Sequence, residues 1–300
     1  MNKIGIVTVL YNSEKVLQEF FETLDKQTFK DFKLYVVDNA SPDNSLEEVE
    51  RLAKTVSFDT EIIAEKENWG VAKGNNIGIK RALEEGCEYI LLSNNDLVFN
   101  HDDTVEVMIK KMYDNKNIHI LTPKIYRYQD PNAIWFAGGD FNKYKTGCIH
   151  YDRDKQDVGQ FEIEKKINYG PTCFCLIRKE VFDKIGLMDE WYFVYYDDGD
   201  FMYRALINGL NYYYTPSTSI LHNESYCTGK GSPFKFYYQA RNQLYFINKF
   251  QNKKILLRTI GYRYAALFLK HCWKNDKKLW KAELKGLNDG IKKILRRGKD

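Results

Sequence analysis

The first hundred residues alternate between short apolar runs and longer segments with helical periodicity. The runs IGIVTVL, FKLYVVD, TEIIA and YILLS are rich in β-branched and other apolar residues, and the segments between them place apolar residues three or four positions apart. Short, continuous apolar runs are typical of strands that are buried on both faces. Strands that alternate with helices form parallel sheets with right-handed crossovers. We therefore predict an α/β fold with a mostly parallel central sheet flanked by helices.

Each of these predicted strands is followed by polar residues. The strand ends are Tyr11-Asn12, Asp38-Asn39, Glu67-Asn68 and Asn94-Asn95-Asp96. The carboxyl ends of parallel strands share one edge of a sheet, and ligands of α/β proteins bind at that edge. Because four separate strand ends are polar, the sequence predicts a binding site there.

The fourth strand end is a candidate metal site. Mg²⁺ and Mn²⁺ take oxygen ligands, often one or two protein carboxylates together with substrate phosphates, and Asp96 fits that role. The alternative is that Asn and Asp end strands simply as turn formers. His222 closes a later strand in STSILH, where a neutral imidazole could complete the site. A histidine at such a position is more often structural.

The segment YYDDGDFMYR, residues 195–204, places Asp197, Asp198 and Asp200 in one short aromatic run. At the N-terminus of a helix, the dipole and the free N–H groups favour anions. Capping explains one aspartate but not three. The aromatic neighbours could keep one carboxylate basic enough to accept a proton. We expect Asp200 to pair with Arg204, four residues further along the helix.

The segment ENWGVAKGNNIG is rich in glycine and lies between a predicted strand and a predicted helix. It lacks the G-x-G-x-x-G pattern of dinucleotide sites and the G-K-S or G-K-T ending of a P-loop. Its glycines could still allow a sugar or a phosphate to approach the backbone closely.

The charge is unevenly distributed along the chain. The net charge is +4, but residues 252–300 carry 15 Lys or Arg against 4 Asp or Glu. Such a basic segment mixed with Leu, Ile, Phe and Trp suits an anionic membrane surface. The alternatives are a homo-oligomer contact or a packing arm with a solvated basic face. Nucleic acid is not an expected partner, because no recognised nucleic-acid motif accompanies the charge.

The spacing of the cysteines and the hydropathy of the chain argue against two kinds of feature, a zinc site and a membrane-spanning helix. The six cysteines form no C-x-x-C pair, which argues against a zinc site of the usual spacing. No apolar stretch approaches 18 residues, so the sequence predicts no spanning helix. The expected location is the cytoplasm. If the basic segment binds a membrane, we expect it to bind peripherally at the inner face.

Five segments in this order resemble the inverting glycosyltransferases of family 2, which have the GT-A fold. The segments are TVLYN, VVDNASPD, NWGVAKGNNIGI, LLSNND and DEWYFVYYDDGDFMYRALINGLNYYYTPSTSILH, and the resemblance covers about residues 3–230. Bacterial rhamnosyl-, galactosyl- and glucosyltransferases of this type look most similar. In two places the sequence departs from the family pattern: Asn94 takes the first position of the D-x-D metal motif, and Asp197 replaces the usual Glu.

The resemblance implies roles for named residues. The donor, a UDP- or dTDP-linked sugar, would be bound by Thr8, Leu10, Tyr11, Asn12, Asp38, Asn68, Gly70, Gly74, Asn75, Asn94 and Asn95. Asp96 and His222 would hold Mg²⁺ or Mn²⁺, and Asp198 would be the base, with Asp197 beside it. Trp191 could stack on an acceptor ring belonging to a glycan, glycolipid or glycoprotein.

The same resemblance implies a division of the chain. Residues 1–232 would form the GT-A domain, with a nucleotide-sugar half at 1–100 and an acceptor half at 101–232, followed by a basic helical region at 233–300. Two other functions stay open. A sugar-nucleotide nucleotidyltransferase would carry a Gly-rich basic loop after the first strand, which TVLYNSEK lacks. A non-catalytic relative that binds a nucleotide sugar or scaffolds a partner is compatible with Asn94.

Overall fold

The computed structural model describes residues 3–144, 146–223, 231–273 and 277–297. Along the chain the elements are β1 Ile4–Leu10, α1 Glu14–Asp25, β2 Phe32–Asp38, α2 Ser45–Leu52, β3 Asp59–Ala64, α3 Gly70–Glu84, β4 Tyr89–Ser93, β5 Leu97–Val98, α4 Thr104–Asp114, β6 Ile120–Arg127, β7 Asp130–Phe136, β8 Gly139–Phe141, β9 Cys148–His150, β10 Lys165–Ile167, β11 Phe174–Arg178, α5 Lys179–Ile185, α6 Asp197–Ile207, β12 Tyr212–His222, α7 Pro233–Phe250, α8 Lys253–Trp273 and α9 Lys277–Arg297.

The central sheet has the strand order β10-β12-β6-β11-β4-β1-β2-β3. Strands β3, β2, β1 and β4 are parallel neighbours, as the alternation of strands and helices predicts. Strand β11 runs antiparallel to both β4 and β6, whereas β6 and β12 are again parallel. Strand β10 pairs with β12 at the edge of the sheet, and the chain runs from β10 to β11 without an intervening helix. The α/β fold is therefore confirmed, with its purely parallel part confined to the N-terminal strands.

Helix α3 lies unusually close to β1. A Cβ atom on Gly74 would lie 2.7 Å from Val9 Cγ1, and one on Gly78 would lie 2.5 Å from Val7 Cγ1. Because these glycines carry no side chain, the helix can approach the strand closely. This packing directs the N-terminus of α3 toward the carboxyl end of β1, where the site was predicted.

Helix α7 joins two hydrophobic clusters. Phe246 belongs to the main core that surrounds the sheet. Ala240, Leu244 and Ile247 pack instead with residues of α8 and α9. The predicted boundary at residue 232 coincides with the start of α7, whose N-cap Ser232 accepts a hydrogen bond from the Lys235 N–H at 3.3 Å. The division into two domains stays a prediction, because α7 packs against both clusters. None of the described helices combines the length and apolarity that crossing a bilayer requires.

Ion pairs of a fully buried carboxylate fasten α7 to α6. Asp200 is 0% exposed, and its oxygens accept hydrogen bonds from Arg204 Nε at 2.7 Å and from Lys249 Nζ at 2.6 Å. The predicted pair with Arg204 is therefore confirmed. Lys249 also lies 2.7 Å from Asp189, so this one lysine of α7 ties together two segments of the core.

Removing the buried carboxylate tests this attachment. We expect Asp200→Ala to lower the free energy of unfolding by about 3–5 kcal/mol, because Arg204 would lose its carboxylate partner in a buried place and Lys249 would lose one of its two. Urea denaturation followed by circular dichroism measures the change. Glu88→Ala is the matched control, since its pair with Lys3 is much more exposed (67% and 37%) and exposed pairs contribute about 0–1 kcal/mol. Equal losses in the two variants would contradict the argument.

Candidate active site

A cleft of about 1170 Å³ opens at the carboxyl ends of β1 and β4 and extends to the start of α6. The structure brings ten of the predicted site residues to its wall: Tyr11, Asn68, Gly70, Asn75, Asn94, Asn95, Asp96, Asp197, Asp198 and His222. The strand ends and the acidic segment, which lie about a hundred residues apart in the sequence, therefore share one site.

Other predicted donor residues lie outside the cleft lining. Thr8, Leu10 and Asp38 are at most 3% exposed. The Asp38 carboxylate accepts a hydrogen bond from the backbone N–H of Ser41 at 3.2 Å, which stabilises the turn after β2. Asn12 is exposed and has a left-handed φ of 57°, and Gly74 serves the packing of α3 on β1. The donor-binding roles of these residues stay predictions.

The structure does not bring Trp191 into the cleft. Its indole ring stacks on Tyr245 with a centroid separation of 3.9 Å, and the guanidinium of Arg241 lies 4.5 Å from the ring centroid. Since α7 supplies both contacts, the Trp191 ring packs against α7 and attaches the segment before α6 to that helix. The expectation that Trp191 stacks on an acceptor ring is corrected accordingly.

The glycine-rich loop is fixed to the segment that precedes α6. Asn68 Oδ1 accepts a hydrogen bond from the Gly70 N–H at 2.9 Å, and the Val71 N–H donates to the Phe193 carbonyl at 2.7 Å. Gly70 has a φ of 79°, and a Cβ atom there would lie 2.2 Å from the same carbonyl oxygen. Only glycine fits this position. The loop therefore holds the two halves of the cleft at a fixed separation.

Two asparagines line the cleft beside the strand ends. Asn95 donates from Nδ2 to the Val9 carbonyl at 2.7 Å, which ties the end of β4 to the end of β1. Asn39 donates from Nδ2 to the Gly70 carbonyl at 3.0 Å, while its Oδ1 is buried with no hydrogen-bond partner in the described part of the chain. Buried acceptors are normally satisfied, so Asn39 Oδ1 is suited to a ligand N–H. The sequence placed Asn39 at a strand end but did not single it out.

Asp96 and His222 face each other across the cleft wall. Asp96 Oδ1 lies 3.3 Å from His222 Nε2, and β5 pairs with β12 next to them. Asp96 Oδ1 and His222 Nδ1 are buried and make no hydrogen bond within the described ranges. The two atoms that converge, Asp96 Oδ1 and His222 Nε2, fit the ligands of a divalent cation, whereas His222 Nδ1 is directed away from Asp96. Within those ranges no group of three or more His, Cys, Asp or Glu residues could hold a metal, so further ligands would come from substrate or water.

The two predicted catalytic carboxylates open α6. Asp198 Oδ2 accepts a hydrogen bond from Tyr169 Oη at 2.5 Å, and its Oδ1 accepts from the Gly199 N–H at 2.7 Å. Burial raises the pKa of Asp198, and the Tyr169 hydroxyl opposes that rise. Burial and then the charge of Asp198 raise the pKa of Asp197 to about 8. Burial and the repulsion between the two groups therefore favour a pair that retains one proton between them, with Asp198 stabilised by two hydrogen bonds.

The turn immediately before Asp197 and Asp198 has a strained backbone. Tyr195 and Tyr196 both have left-handed φ angles, 63° and 69°. Such conformations cost non-glycine residues on the order of 1 kcal/mol or more each and persist where the surroundings enforce them. The fully buried Asn242 of α7 donates from Nδ2 to the carbonyls of Val194 and Tyr195, both at 2.8 Å. Asn242 therefore holds the turn that sets the direction of Asp197 and Asp198.

Residues 128–172 supply cleft residues that the sequence did not single out: Trp135, His150, Arg153 and Tyr169. The Trp135 ring packs edge-on against His222 at 4.4 Å between centroids, and the Arg153 guanidinium lies 5.0 Å from the Trp135 centroid. No spacing pattern marks these residues, because the β7–β10 region reaches the site through tertiary packing.

The raised pKa of Asp197 predicts a pH-dependent stability. Between about pH 4 and pH 8 the folded protein keeps a proton that the unfolded chain loses, so this group makes the free energy of unfolding fall as pH rises, by at most about 1.4 kcal/mol per pH unit. Asp197→Asn removes this dependence, because the amide does not titrate. Urea denaturation from pH 5 to pH 8 should therefore show the variant gaining stability relative to wild type. The exposed Asp114→Asn is the control; a curve for Asp197→Asn parallel to wild type would refute the assignment.

Two curated proteins show similarity along most of the chain. The low-salt glycan biosynthesis hexosyltransferase Agl10 of Haloferax volcanii is 25% identical over 85% of this chain and 78% of that protein. The dTDP-rhamnosyl transferase RfbF of Shigella flexneri is 27% identical over 83% of this chain and 81% of that protein.

Solved structures share the fold. TarS 1–349 of S. aureus in complex with UDP-GlcNAc aligns with a TM-score of 0.61 at 18% identity, over 97% of this chain and 81% of that one. The mannosyltransferase PcManGT from Pyrobaculum calidifontis, in complex with GDP-Man and Mn²⁺, aligns with a TM-score of 0.57 at 14% identity, over 98% and 87%. The model of the Glycosyl transferase family 2 matches residues 5–186. The chain therefore belongs to glycosyl transferase family 2 and is a glycosyltransferase with the GT-A fold.

Proposed function

We propose that the protein transfers a hexosyl group from a UDP- or dTDP-linked sugar to a hydroxyl of a growing glycan, with inversion at the anomeric carbon. The observation that carries this proposal is the presence, in one cleft, of the amide-rich strand ends with Asp96 and His222 on one side and the buried Asp197–Asp198 pair on the other. The names of the relatives support the same class, since they are a hexosyltransferase of glycan biosynthesis and a dTDP-rhamnosyl transferase.

The donor would lie along the strand ends. Asn39 Oδ1, which has no partner among the described residues, would accept a hydrogen bond from the nucleotide. The guanidinium of Arg153 lines the same cleft and would contact the diphosphate. Asp96 and His222 would hold Mg²⁺ or Mn²⁺, which neutralises charge on the diphosphate leaving group when it is bound.

Asp198 is the proposed general base. Hydrogen bonds from Tyr169 and from the Gly199 N–H stabilise its anion, while the proton on Asp197 limits the repulsion between the two carboxylates. The acceptor hydroxyl gives its proton to Asp198 as its oxygen forms the new bond to the anomeric carbon. The bond from that carbon to the diphosphate oxygen breaks on the opposite face, and the nucleoside diphosphate leaves with the electron pair.

The acceptor would bind against an aromatic wall formed by the start of α7 and the segment before α6. Phe193 and Tyr238 stack with a centroid separation of 5.2 Å, and Phe234 lies 4.7 Å from Tyr238. All three line the cleft together with Lys235 and Gln239. Aromatic faces suit the apolar faces of sugar rings, and the polar neighbours suit their hydroxyls. This wall takes the role that the sequence had given to Trp191.

Substitution of the proposed base tests the mechanism. We expect Asp198→Asn to lower kcat by about 10²- to 10⁴-fold, because the amide cannot accept the proton, and to leave the donor KM nearly unchanged. The assay follows nucleotide release from a panel of UDP- and dTDP-sugars with a glycan acceptor and Mn²⁺. The control is Asp114→Asn, an exposed aspartate of α4.

The same assay separates other outcomes. An inactive Asp197→Asn beside an active Asp198→Asn would move the base to Asp197. Formation of UTP or dTTP and a sugar 1-phosphate when pyrophosphate is added to the same donors would identify a nucleotidyltransferase, and the absence of any turnover with every donor would favour a non-catalytic relative.

Calorimetric titration tests the metal ligands without turnover. We expect Mn²⁺ to strengthen UDP binding to the wild-type protein, and we expect Asp96→Ala and His222→Ala to abolish that enhancement because each removes a ligand. UDP binding in the presence of EDTA should be similar in all three proteins. Enhancement by Mn²⁺ that survives in both variants would place the cation elsewhere.

A further inference from the structure

Helix α8 carries apolar residues around its whole circumference. On one side Leu256 and Leu267 are buried in the cluster that α8 shares with α7 and α9. On the other side the helix has no covering element within the described chain. A helix that is apolar all round is normally buried in a protein core or in lipid, so the outer side of α8 is unusual for a surface helix.

We refer to this outer side as the α8 face. Its large apolar side chains are Leu257, Tyr262, Phe268 and Leu269, which are 68%, 70%, 68% and 61% exposed. Lys253, Lys254 and Arg258 are exposed on the same face, at the beginning of the helix. The residues recur at spacings of four, seven or eleven positions, which correspond to about one, two and three helical turns, so that they share one side of the helix.

In the described parts of α8 and α9, the acidic side chains are paired inside the helical layer and the basic side chains supply the exposed charge. The described residues of these two helices include only two acidic ones, Glu283 and Asp289. Glu283 is 5% exposed and lies 3.1 Å from Arg263, and Asp289 accepts a hydrogen bond from Tyr237 at 3.0 Å. Both carboxylates are therefore paired inside the helical layer. The exposed charges of the described parts of α8 and α9 are then all positive.

The α8 face is continuous with a hairpin that lines the cleft. Arg258 lies 4.9 Å from the ring centroid of Tyr144, which is 47% exposed at the turn between β8 and β9. Gly147 and Cys148 of the same hairpin line the cleft. A surface that contacted α8 would therefore also contact the edge of the site.

We propose that the α8 face docks on an anionic lipid bilayer, with the apolar stripe in the interfacial region and the basic residues at the headgroups. Exposed apolar side chains beside Lys and Arg are what such an interface binds. A second copy of the chain fits less well, because a two-fold contact would place this positive face against itself. Docking on a bilayer goes beyond the proposed function and, together with it, favours a lipid-linked acceptor presented at the hairpin edge of the cleft.

Vesicle flotation tests the proposal. The full-length protein is mixed with vesicles of 30% phosphatidylglycerol in phosphatidylcholine at 0.1 M NaCl. We expect it to float, and to float less with pure phosphatidylcholine or at 0.5 M NaCl. The triple variant Leu257→Ala/Phe268→Ala/Leu269→Ala should bind about tenfold more weakly or worse. The control Val158→Ala/Ile163→Ala removes apolar side chains that are 84% and 78% exposed outside α8, and it should bind like wild type.

Each other outcome overturns the proposal. Wild-type protein that stays unbound, or a triple variant that floats like wild type, excludes the α8 face as a membrane contact. If light scattering shows a wild-type dimer that the triple variant converts to a monomer, with no flotation of either, the face is an interface between copies. Circular dichroism verifies that the variants are folded. Nucleotide release in vesicle-free solution tests the transfer reaction separately, so that failure of docking and failure of the proposed function are distinguishable.

Discussion

The arrangement of the site depends on the accommodation of three carboxylates in the first turn of α6. Like charges at this distance repel, and burial makes each of them harder to solvate. The structure resolves the conflict in three different ways. Asp200 is neutralised by Arg204 and Lys249, Asp198 is hydrogen-bonded by Tyr169, and burial together with the charge of Asp198 raises the pKa of Asp197. The fastening of α7 by Lys249 and the chemical difference between Asp197 and Asp198 both follow from this electrostatic requirement.

The two sides of the cleft differ in chemistry and are built by different parts of the fold. The ends of the parallel strands contribute mainly amides, together with the carboxylate of Asp96. The first turn of α6 supplies the carboxylates of Asp197 and Asp198, and the segment before it supplies aromatic rings. The hydrogen bond from Val71 to the Phe193 carbonyl joins the two sides, and the close approach at Gly70 leaves no room for them to slide. The distance between the two sides of the cleft is therefore set by backbone contacts.

Local patterns predicted the parts of the structure that depend on local physics. Apolar runs and polar ends located β1, β2, β3 and β4 and the edge where the cleft lies, and the spacing of four residues identified the Asp200–Arg204 pair. Contacts between distant segments could not be derived in this way. Lys249 is 49 residues from Asp200, and Tyr169 is 29 residues from Asp198. Trp191 was misjudged for the same reason, because Tyr245, which covers its ring, comes from a helix whose position no sequence pattern indicates.

The left-handed turn at Tyr195 and Tyr196 has a consequence for the order in which the protein is made. Asn242, which holds this turn, follows Val194 by 48 residues. During synthesis the N-terminal strands and helices emerge first and can assemble into the parallel half of the sheet as they do so. The carboxylate pair acquires its fixed direction only when α7 has emerged and docked. A nascent or truncated chain that lacks α7 thus contains Asp197 and Asp198 but lacks the two hydrogen bonds that hold the turn before them.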